Sequence, residues 1–89
     1  MILCQVYKSP RREEMYLYVD RSDGLDKVPQ ALLDQFGEPE QVMMLKLTAD
    51  RRLARVQASS VLDAIAEQGY YLQMPPSPYQ PEEEQGGSQ

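Results

Sequence analysis

The chain has no histidine, a single cysteine, and no run of apolar residues near the roughly 20 that a membrane helix needs. Each absence narrows what the protein can do. Without histidine there is no imidazole to serve as general base, as the middle member of a nucleophilic triad, or as a nitrogen ligand for zinc. One cysteine cannot close an internal disulfide, which agrees with a reducing compartment. The first residues, Met1-Ile2-Leu3-Cys4-Gln5, do not carry a basic stretch followed by an apolar one, so no secretory signal is expected. These features together read as a soluble cytoplasmic protein without membrane association.

Glycine-rich phosphate loops are missing as well. Gly24, Gly37 and Gly69 stand alone, each where a turn or a helix end is expected. Asp20, Asp23 and Asp26 surround Gly24 in faint imitation of a calcium loop. Counted from Asp20, however, the required glycine position holds Leu25 and the bidentate glutamate position holds Ala31. A turn rich in helix-favouring charge accounts better for these residues. No metal, no cofactor and no catalytic residue is expected, and the chain does not read as an enzyme.

What is present is one small domain. Residues 2–7 alternate, with Ile2, Cys4 and Val6 opposed to Leu3, Gln5 and Tyr7. Residues 15–20 alternate again, and the polar, proline-containing stretch between them predicts a hairpin loop. Pro29 and Gly37 punctuate a short helix that carries Leu32, Leu33 and Phe36 at helical spacing. Gln41 to Leu47 predicts a third strand, apolar enough to be central and buried on much of both faces. A returning strand at Leu53–Val56 is an open alternative to a simple lead into the next helix. That helix is expected from Ala58 to Gln68, capped by Ser59 or Ser60 and ended by Gly69. Tyr70 to Met74 is the last strand.

The order ββαβ(β)αβ implies an α+β fold: a small two-layer sandwich of three to five strands, with both helices on one face. The domain is expected over residues 1–76, and residues 77–89 as a disordered Pro/Glu-rich tail. From Pro75 onward the chain holds four of its seven prolines, three of its fourteen acidic residues and no basic residue. Residues 1–74 therefore carry a net charge of −2 out of the total of −5. That balance argues against a general nucleic-acid binder, although local basic patches are compatible with it.

Three segments together resemble the YcgL family of small bacterial proteins: Tyr16-Leu17-Tyr18-Val19, Val28-Pro29 through Phe36-Gly37-Glu38-Pro39, and Gln68-Gly69-Tyr70-Tyr71-Leu72-Gln73-Met74-Pro75-Pro76. The resemblance covers nearly all of residues 1–76. It implies a compact α/β domain and brings no catalytic or ligand residue to this chain.

The candidate partner-binding residues come from the chain's own pattern. Tyr7, Tyr16 and Tyr18 fall on one face of the first hairpin if alternation alone decides, and Tyr70 or Tyr71 can join them. Exposed beside arginines, such tyrosines would stack bases or dock a peptide. Basic residues form two groups, Arg11 and Arg12 with Lys8 at the hairpin loop, and Arg51, Arg52 and Arg55 with Lys46 after the third strand. Free sheet edges offer a third route, strand addition. The expectation is a non-enzymatic protein-interaction module with a protein partner. The alternative is an RNA-binding accessory domain that uses the tyrosine face and the arginine loops. The plain competitor is that the tyrosines are packing residues and the arginines solvated charge.

Overall fold

Antiparallel pairing of every strand shapes the computed structural model, which describes residues 2–53 and 56–74. The elements run β1 (Ile2–Lys8), β2 (Tyr16–Asp20), α1 (Gln30–Phe36), β3 (Glu40–Leu47), α2 (Ala58–Gln68) and β4 (Tyr71–Gln73). The α+β class and the element order are those expected. The expected tail and Arg55 lie outside the described residues. Leu53 and Val56 form no strand; Arg52 and Gln57 make only an isolated bridge at the mouth of the loop.

The sheet order is β3-β1-β2-β4. β3 is therefore an edge strand, not the central one its composition suggested, and β1 takes the centre by pairing with both β2 and β3. A continuous apolar run reads the same whether one or two sides of its backbone are paired. A bulge falls where Val6 pairs with Met43 but Tyr7 pairs with Gln41, leaving Val42 as the extra residue. The side-chain amide of Gln5 donates to the Met43 carbonyl (2.8 Å) beside it.

Register overturns the single covered face. Val6 stands opposite Tyr18 and Tyr7 opposite Leu17, so Leu17 and Val19 share a face with Gln5 and Tyr7 rather than with Cys4 and Val6. Two cores result. On one face Cys4, Val6, Tyr18, Leu45 and Leu47 pack beneath Ala58, Val61 and Ile65 of α2. On the other, Met15, Leu17 and Val19 pack with Val28 and with Phe36, Leu32 and Leu33 of α1. The helices sit on opposite faces, giving three layers where two were expected. The seven residues between the hairpin strands leave the offset open, and a one-residue change in offset moves a whole strand's side chains to the other side.

The helix ends are defined by backbone more than by side chains. α2 starts without a side-chain cap, since neither Ser59 nor Ser60 precedes its first turn and Gln57 occupies the cap position. Gly69 ends it in the left-handed conformation (φ 95°, ψ 0°), its N–H donating to the Ile65 carbonyl (2.9 Å). Gly37 also has positive φ (88°), but with ψ at −174° it turns into an extended continuation rather than a left-handed cap. Pro10 and Arg11 press close to it: a β-carbon there would stand 3.0 Å from a side-chain carbon of each. The hairpin loop is thus packed against the end of α1. Ser9, buried, reinforces this by donating its hydroxyl to the Phe36 carbonyl while accepting from the N–H groups of Arg11 and Arg12.

Candidate functional site

The tyrosines do not form one platform. Tyr16 and Tyr18 lie on the α2 face, opposite Gln73 and Tyr71 of β4, whereas Tyr7 lies on the α1 face opposite Leu17. Tyr18 is 8% exposed, its ring edge-on to Tyr71 at 5.9 Å between centroids and its hydroxyl donating to Gln73 Oε1 at 2.8 Å. Its face is committed to the core and has no room for a base. Tyr71 joins that cluster, and Tyr70 packs into the α1 core. The plain packing reading describes Tyr18 well.

The arginines divide in the same way. Arg11 donates through Nη1 to the Asp34 carbonyl in α1 (2.9 Å), a hydrogen bond near a helix C-terminus, where cations are favoured. Arg12 is exposed on the loop. Arg51 donates through Nη1 to the Lys46 carbonyl (3.2 Å), and Arg52 is exposed. The two groups line separate hollows. Arg11 and Arg12 border one with Lys8, Glu13, Glu14 and Glu40, while Arg51 and Arg52 border another with Leu53 and the start of α2. The acidic turn folds as a turn: Asp20 accepts from the backbone and hydroxyl of Ser22 (2.9 and 2.8 Å), which holds its carboxyl below the usual range. Among the described residues no three histidine, cysteine, aspartate or glutamate side chains converge.

Cys4 is fully buried in the α2 core, and burial pushes its thiol up to about 11. A thiol with that pKa is protonated at neutral pH and is a poor nucleophile.

Two features stand out that the sequence did not mark. The first is the outer edge of β3, which pairs with no other strand among the described residues and where Val42, Met43 and Met44 are 43%, 53% and 46% exposed, with Leu3 on the neighbouring strand also exposed. The second is a hollow of about 410 Å³ on the α2 face, beyond the reach of the helix, floored by Tyr16, Tyr18, Met43 and Leu45 and bounded by Leu53, Gln73 and Glu14. Glu14 has φ of 61°, the sole positive value outside glycine among the described residues. Neither feature shows in a periodicity, because exposure of Met43 depends on strand order. The hollow brings together residues from three separate strands and two loops.

The family model for the YcgL domain matches residues 4–76. A YcgL domain-containing protein of Chromohalobacter salexigens is 60% identical over 75 residues, which is 84% of this chain and 78% of that protein. One from Pseudomonas paraeruginosa is 55% identical over 74 residues, covering 83% of this chain and 76% of the relative. One from Azotobacter vinelandii is 52% identical over 82 residues, covering 92% and 80%.

Proposed function

This chain belongs to the YcgL family, and we propose that it works in the cytoplasm as a non-enzymatic protein-interaction module whose β3 edge accepts an extended segment of a partner protein. The observation that carries this reading is the exposure of Val42, Met43 and Met44 along a strand edge that is unpaired among the described residues. Such an edge presents backbone donors and acceptors in a row, and strand addition uses them for affinity and the flanking side chains for selectivity. Methionine suits this position because its unbranched, polarizable side chain repacks against varied apolar partners. The bulge at Val42 limits the regular accepting stretch to Met43–Leu47. Lys46 within that stretch disfavours uncontrolled pairing.

The test is retention from native lysate on the immobilised full chain, with and without ribonuclease and at two salt concentrations. A protein that is retained under all four conditions, and lost when the bait carries Met43→Lys and Met44→Lys, supports strand addition. Recovery of RNA alone, released as salt rises, would overturn it in favour of phosphate binding.

A further inference from the structure

The hollow over Tyr16, Tyr18, Met43 and Leu45 shares the Met43 side chain with the β3 edge but lies on the α2 face of the sheet, not along the outer backbone of the strand. Docking there does not depend on strand addition. We propose that this hollow is the docking site for residues 75–84 of this same chain. β4 runs antiparallel to β2 with Gln73 opposite Tyr16, so the chain leaves Met74 at the rim of the hollow, which Gln73 itself lines.

The dimensions agree. From β4 to β3 the sheet spans three inter-strand gaps, about 14 Å at the usual strand spacing. Residues 75–79 read Pro-Pro-Ser-Pro-Tyr. Proline-rich sequence favours the extended left-handed helix with about 3.1 Å per residue, so five residues cover about 15 Å. Such helices are recognised by grooves lined with aromatic side chains, because they arrive with little conformational entropy left to lose. Tyr16, part-exposed, provides that lining, with only the edge of the buried Tyr18 beside it, and the crossing delivers Tyr79 to Met43, Leu45 and Leu53 on the far side.

Charge completes the fit. Leu53 borders both this hollow and the adjoining one that carries Arg51 and Arg52. Among the described residues neither arginine makes an ion pair, and the one side-chain hydrogen bond of Arg51, to the Lys46 carbonyl, orients its guanidinium without neutralising it. Glu82-Glu83-Glu84 follow Tyr79 by three to five residues, within reach of that pair. A proline stretch for the aromatic floor and an acidic run for the arginines thus occur in the order in which the surface presents their complements.

The chain has no tryptophan, so Tyr79→Trp in the full-length protein reports on residue 79 alone. Docking predicts emission at shorter wavelength than in denaturant, and acrylamide quenching reduced several-fold, independent of protein concentration. Adding Arg51→Glu with Arg52→Glu, or Met43→Glu, places the changes at exposed positions that leave the fold intact by circular dichroism. Each should restore quenching to the value of a free tryptophan peptide. Solvent-like emission in the parent Tyr79→Trp protein would overturn the proposal. So would protection that appears only as concentration rises, which would assign the hollow to a second copy, or protection that survives both sets of changes.

Discussion

Tyr18 and Gln73 are joined by a side-chain hydrogen bond of 2.8 Å that links β2 to the short edge strand β4 under the floor of the hollow. β4 has only three residues, and this bond adds to its ladder with β2 and to the packing of Tyr71 and Leu72. Tyr18→Phe keeps the ring and its contact with Tyr71 while removing the donor. The expected loss is about 1 kcal/mol, read by urea denaturation, with faster hydrogen exchange confined to residues 71–73. Uniform acceleration across the sheet would show that the bond has no local role.

Gly69 and Gly24 both have positive φ, yet they should respond differently to alanine. At Gly24 a β-carbon would meet nothing within 4 Å, and the cost should be about 1 kcal/mol of backbone strain. At Gly69 it would stand 2.5 Å from Cβ of Lys27, so a neighbouring segment has to move as well. Gly69→Ala should cost at least about 2 kcal/mol, and Lys27→Gly should recover part of it. Equal melting temperatures for the two alanine variants would disprove the close approach.

Burial of Cys4 makes stability depend on pH in the alkaline range. The folded thiol titrates at about 11 against 9.0 for the ordinary group, so above pH 9 the unfolded chain releases its proton first. The native state then binds more protons than the unfolded state, and stability falls with rising pH until both are ionised near pH 11. The contribution is up to about 2 kcal/mol. Denaturation curves of the native protein and Cys4→Ala at pH 8 and pH 10.5 isolate it. A difference that stays constant with pH would refute it.

Exposure orders the methionines toward peroxide. Met43, Met44 and Met74 should become sulfoxides before Met15, which is 4% exposed in the α1 core. Peptide mass spectrometry after brief peroxide treatment reads the order directly. Early oxidation of Met15 would mean that the α1 layer opens far more readily than its packing indicates.

The elements were legible in this sequence because each is bounded by residues with one conformational use. Pro29 with Gly37, and Gly69 after Gln68, bracket the helices, and alternation marks β1 and β2. Partnership was not legible. Tyr7 and Tyr18 alternate identically with their neighbours, and only the offset of the hairpin decides that one faces α1 and the other α2. The run Val42-Met43-Met44 carries the composition of a buried strand, and its place at the edge follows from β1 pairing on both sides. Arg11 showed its charge but not that it hydrogen-bonds to a helix carbonyl, a contact between residues 23 apart.

The central place of β1 sets the order in which the protein can be completed as it is made. Its hairpin with β2 needs only the first 20 residues, whereas its other side stays open until β3 has emerged, with Ile2 pairing to Leu47. The α2 core, which rests on Cys4 and Val6, and β4 follow later still. For that interval the nascent chain displays both a bare strand edge and an uncovered apolar face on its earliest residues. Delay between the emergence of residue 20 and that of residue 47 from the ribosome would therefore prolong the state most prone to aggregation, and the ribosome's chaperones would meet this domain by its first strand.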